Sequence, residues 1–198
     1  ERLIKVHAVA SVVSLLIGAI AAVMLVLTRW QAVHLLPAVW FYRILGVHGM
    51  SMLIFFIIFY EMAVLIFAST ALINARIAAP RLGWAAFALM LGGATLVEVI
   101  MWAGKADVLF TSYVPLKADP LYYLGIILSA VGALLVCGIF FANLVVARRE
   151  QTYTGSLPLV VYGAVTAAII AVITLLHGAA IYIPTFLWSL GYMNVDPE

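Results

Sequence analysis

Residues 41–73 read FYRILGVHGMSMLIFFIIFYEMAVLIFASTALI. After Arg43, this stretch holds one carboxylate, Glu61, and one imidazole, His48. It exceeds the ~20 residues that a helix needs to cross the hydrocarbon core of a bilayer. Backbone in lipid must satisfy its own hydrogen bonds, which leaves helices or a closed barrel. The run is continuously apolar and lacks the alternation of a barrel strand, so a helix is expected. The whole chain is of the same kind. Hydrophobic residues make up 67% and charged residues 9% of 198, and the mean hydropathy is +1.23. Soluble domains average about 45–50% apolar and 25% charged residues. The solvent for this chain is therefore lipid.

Working outward from that stretch, four more apolar runs appear. The five expected spans are 4–27, 41–73, 82–102, 121–147 and 157–187. We expect an all-α, polytopic membrane protein, with residues 1–198 forming a single membrane helical domain. The second, fourth and fifth runs are long enough to tilt or to extend into the headgroups. The first is too long for a signal peptide and has no small-residue cleavage end, so it reads as a true span. Glu1 is not an initiator methionine, which is expected of a processed, trimmed or partial chain.

Basic residues set the orientation. With the N-terminus in the cytoplasm, the inner side holds Arg2, Lys5, Arg76, Arg81, Arg148 and Arg149, and the outer side Arg29, Arg43, Lys105 and Lys117. The positive-inside rule favours this arrangement. Trp30, Trp40, Trp102 and Trp188 then fall at the outer interface and Trp84 at the inner one. The formal charge of +2 gives no reason to expect a nucleic-acid partner. Cys137 is a lone cysteine in an apolar run, and reads as a small buried or lipid-facing residue.

Polar residues inside spans are costly and are functional candidates by default. His48 lies in Gly46-Val47-His48-Gly49-Met50, about 10 Å into the second expected helix. Imidazole ligates haem iron through one nitrogen and is oriented through the other. Gly46 and Gly49 remove bulk beside it, for a flat macrocycle or a close helix. His177, in Leu176-His177-Gly178, is also followed by glycine. Each histidine is equally readable as a polar contact between helices. Glu61 and Glu98 are candidate proton carriers, or hydrogen-bonding partners of a neighbouring helix. His7 falls near the inner end of the first span and His34 in an outer loop. The four histidines are too dispersed for a three-histidine copper site. No GxxxxGK[ST], CxxC or HExxH motif is present.

Three stretches together resemble a known family. Tyr42-Arg43-Ile44-Leu45-Gly46-Val47-His48-Gly49-Met50 resembles the second helix of subunit I of the haem–copper oxidases. Leu109-Phe110-Thr111-Ser112-Tyr113-Val114-Pro115-Leu116-Lys117 resembles that family's Thr-x-Tyr-Pro-Pro-Leu segment between helices three and four, with Val114 in place of the first proline. Trp188-Ser189-Leu190-Gly191, followed by Val195-Asp196-Pro197, resembles the exit of helix five in the B-type branch, and Tyr122-Tyr123-Leu124-Gly125 opens helix four much as that branch does. The matches are in family order and cover nearly the whole chain.

The resemblance implies specific chemistry. His48 would be an axial ligand of the low-spin haem, of type b or a, near the outer face. The complex would take electrons from cytochrome c or a similar donor through a copper-containing subunit, reduce dioxygen to water and pump protons. In the family, helices six, seven and ten carry the copper ligands, the ligand of the second haem and the other ligand of the low-spin haem. Those helices are not in this sequence, so copper and the second haem are expected in the remaining part of subunit I or in a partner chain. The chain then reads as a fragment, half of a split subunit, or a diverged relative, inactive alone. The setting would be a bacterial or archaeal plasma membrane. Two other functions are compatible with the residues: a membrane haem-b electron carrier ligated by His48 and His177 without oxygen chemistry, and a nitric oxide reductase-like subunit.

Overall fold

A computed structural model describes residues 1–109 and 111–194. Five helical stretches are long and apolar enough to cross a membrane: Arg2–Arg29, Ala38–Ile73, Pro80–Trp102, Pro120–Glu150 and Leu159–Ser189. No strand occurs among the described residues. We number the α-helices α1 (Arg2–Arg29), α2 (Ala38–Gly49), α3 (Phe56–Ser69), α4 (Pro80–Trp102), α5 (Pro120–Glu150) and α6 (Leu159–Ser189). A π-helical segment, Met50–Phe55, joins α2 to α3 within the second span.

The helices outrun the apolar stretches that announce them. α1 takes in Arg2 and Arg29, and α5 continues through Arg148, Arg149 and Glu150. Arg29, Arg148 and Arg149 sit in last turns, where long basic side chains reach the headgroups and cations meet the negative end of the helix dipole. Pro80 and Pro120 open α4 and α5 at positions that need no backbone donor. Asp119 caps α5 by accepting from the Leu121 amide at 3.0 Å. Gln151 ends it in the left-handed region.

Packing follows the small residues. α4 and α5 run antiparallel at close range, because Gly93 and Gly125 face one another: a Cβ on Gly93 would meet the Gly125 carbonyl oxygen, and one on Gly132 would meet that of Ala86. Small residues that let backbones approach are the usual currency of helix association in lipid. Asn143 of α5 adds a polar clasp. Its Nδ2 donates to Ser69 Oγ at 3.0 Å, and its Oδ1 accepts from the Ala78 amide at 2.7 Å. Arg76 and Glu150 pair at 2.8 Å at the same end of the bundle. At the opposite end, the Arg43 guanidinium pairs with Asp107 at 3.3 Å and lies 4.6 Å from the Trp40 ring centre. Gly104 sits there at φ +71°, and a side chain on it would collide with that guanidinium.

The second span is not the uniform helix that its sequence suggests. The π segment inserts one residue beyond α-helical register, with the Phe56 amide bonded back to the Ser51 carbonyl. Two cross-helix bonds from α1 bracket it. Ser11 Oγ donates to the Phe56 carbonyl at 3.0 Å, and the Gly18 carbonyl is bonded by His48 at 2.9 Å. Between them, Gly18 lies against the Met52 side chain, leaving no room for a Cβ.

Candidate functional site

His48 occupies the last turn of α2, directly before the π segment. It is ten residues after Ala38, about 15 Å along the axis and deeper than the 10 Å expected from the apolar stretch, because α2 starts earlier. Its Nδ1 lies 2.9 Å from the Gly18 carbonyl oxygen. A carbonyl only accepts, so Nδ1 carries the proton and donates, and the Nε2 lone pair is left for another partner. No described residue bonds Nε2. The ring is half-buried, in a stretch of helix where Ile44, Val47 and Met50 are buried. This donor set fits a haem: one neutral imidazole, oriented through its second nitrogen and surrounded by apolar side chains. His48 would supply the iron ligand, and Gly18 would hold it in place.

Gly46 lies against α4. A Cβ there would meet the Met101 side chain at 2.9 Å.

Three interactions gather the resembling stretches at the same end of the bundle. Tyr122, the third residue of α5, is fully buried. Its hydroxyl lies 3.0 Å from Ser112 Oγ, 3.3 Å from the Leu109 carbonyl oxygen and 3.7 Å from Met50 Sδ. The 109–117 loop is thereby anchored two residues from His48. Lys117 of that loop lies 5.2 Å from the Trp188 ring centre on α6, and Tyr123 Oη accepts from the Ala118 amide at 3.1 Å. Phe110 and the Val195-Asp196-Pro197 tail lie outside the described residues.

His177 is placed differently. It is exposed on α6, and its Nδ1 donates to the Ile173 carbonyl of its own helix at 2.8 Å. Gly178 after it faces open space. The structure gives His48 and His177 no common partner. Glu98 of α4 reaches the π segment, where Ser51 Oγ donates to its Oε1 at 2.6 Å. Its Oε2 is buried without a partner among the described residues. Glu61 is half-buried and makes no hydrogen bond among the described residues. His7 is fully buried, with Nδ1 bonded to the Leu3 carbonyl at 2.8 Å and its ring 4.8 Å from that of Phe87. No group of three or more His, Cys, Asp or Glu suited to a metal ion occurs among the described residues.

Gly18, Ser51 and Ser11 were not singled out from sequence. Only Gly18 left a signal there, as an isolated glycine inside an apolar helix, which often marks a close approach.

Among solved structures, the fold is similar to a chain of a heme-copper terminal oxidase dimer determined by cryo-EM. The TM-score is 0.81 at 24% sequence identity, over 98% of this chain and 34% of that one. The chain thus spans about a third of the length of the structure it matches. A search of curated proteins finds no match. The family model described as cytochrome c and quinol oxidase polypeptide I matches residues 2–197, and the chain belongs to that family.

Proposed function

We propose that this chain provides the first five spans of subunit I of a terminal respiratory oxidase, as one membrane helical domain, and that His48 Nε2 is an axial ligand of its low-spin haem. The observation that carries this reading is the hydrogen bond from His48 Nδ1 to the Gly18 carbonyl. It fixes the tautomer and aims the remaining lone pair, which is what an iron-ligating imidazole requires. A haem held here would relay an electron from the donor towards the oxygen-reducing centre. The chain's own part is to bind and to exclude water. α1 orients the ring through Gly18, and the ring stands in an apolar stretch of the second span. Burial of this kind tunes the potential of a bound haem.

The complete complex, on this reading, takes electrons from cytochrome c or a similar donor through a copper-containing subunit and reduces dioxygen. Copper, the second haem and the other ligand of the low-spin haem come from the remaining part of subunit I or from a partner chain. The three resembling stretches support the B-type branch and with it a bacterial or archaeal membrane, and the basic-residue count supports a cytoplasmic N-terminus. His177 is the weaker candidate as a haem ligand, since it is exposed and bonded to its own helix. The decisive test is the His48→Ala variant in the assembled complex. The low-spin haem absorbance should disappear, and an unchanged spectrum overturns the assignment.

A further inference from the structure

Beyond the haem-bearing turn, the described residues enclose a long groove of about 680 Å³ between α1 and α4. On α1 its wall runs from Lys5 to Ile17, about 18 Å at 1.5 Å per residue. On α4 it runs from Phe87 to Trp102, and Phe55 and Phe59 form its floor. The α4 wall is about 22 Å long and ends at Trp102, so the groove runs past the midplane of a hydrocarbon core of ~30 Å.

Between Lys5 and Trp102, which stand at its two ends, the wall is poor in free hydrogen-bonding groups. Ser14 and Thr95 line it, but their hydroxyls donate to the Ala10 and Leu91 carbonyls of their own helices at 3.0 and 2.8 Å. Glu98 also lines it, with Oε1 taken by Ser51 and Oε2 buried. The two hydroxyl hydrogens are thus committed within their own helices. Between those ends, a ring bearing hydroxyl or carbonyl groups would lose most of its hydrogen bonds to water, at a cost that an alkyl chain does not incur.

The mouth is charged. Lys5 stands exposed at the start of the groove, and Arg2 and Arg81 lie in the first turns of the two helices that flank it. None of the three pairs with a carboxylate among the described residues. We infer that the groove binds one anionic phospholipid, its phosphate at Lys5 and one acyl chain lying along α1 and α4. Basic residues near the membrane surface attract anionic lipid in this way.

The test uses the purified complex, incorporated into vesicles of phosphatidylcholine containing spin-labelled phosphatidylglycerol or spin-labelled phosphatidylcholine. The wild type should immobilise the anionic label preferentially. Val13→Trp places an indole in the groove from a half-exposed position, and should abolish the preference. Lys5→Gln leaves the groove intact and should weaken it by about five-fold. Equal immobilisation of the two labels overturns the proposal, as does a preference that survives Val13→Trp. Cross-linking from position 13 to an isoprenoid quinone or to a polypeptide, in place of lipid, overturns it too.

Discussion

Two histidine–glycine pairs lie inside spans of this chain, and the fold treats them in opposite ways. In both, Nδ1 is bonded to a backbone carbonyl at nearly the same distance, 2.9 Å for His48 and 2.8 Å for His177. The carbonyl beside His177 is four residues back on the same helix, whereas that beside His48 is thirty residues away on α1. A bond within one helix satisfies a polar ring and does little else. A bond between helices couples the ring's orientation to the packing of the bundle. The same local sequence thus gives an exposed side chain bonded to its own helix on α6 and an oriented candidate ligand on α2.

The largest expected effect tests that contrast directly. His48→Ala should remove the low-spin haem spectrum of the assembled complex, while His177→Ala should leave it. Next is Gly18→Leu. Its side chain must enter space held by Met52 and displace the carbonyl that orients His48. Overpacking of this kind costs about 1–3 kcal/mol, so the complex should melt at lower temperature and carry less low-spin haem. A normal haem content would mean that α1 does not orient the ring.

Ser51→Ala comes third. It removes the donor to Glu98 Oε1 and leaves both carboxylate oxygens without partners, a loss of about 1–3 kcal/mol readable as a lower unfolding temperature. In a Glu98→Leu background the same substitution should cost much less, and equal costs in both backgrounds would rule out the coupling. The smallest effect belongs to His177→Ala, whose exposed position should keep the stability change within about 0.5 kcal/mol. A spectral change in that variant would favour a carrier ligated by both histidines.

Much of the architecture was legible in the sequence. The five apolar runs predicted five spans because membrane length and composition constrain each helix separately. Their ends were less legible, since Arg2, Arg29 and Arg148 to Glu150 are charged and yet helical. His48 stood out because an imidazole in an apolar run is expensive. Its neighbours did not. Gly18, Ser11 and Ser51 are small residues of a kind common throughout the chain, and their roles depend on which helix lies opposite. The glycine contact between α4 and α5 was hidden for the same reason.

The sequence by itself determined that the chain lives in lipid, that it is helical, how many spans it has and, through three ordered stretches, which family it resembles. These follow from solvation and from local pattern, which act along the chain. Only the tertiary structure decided which histidine is oriented from another helix, where the π segment breaks the second span, and that Tyr122 ties the 109–117 loop to the His48 turn. Those features come from contacts between residues far apart in sequence, where a hydrogen bond or a missing Cβ has meaning only once the opposing helix is in place.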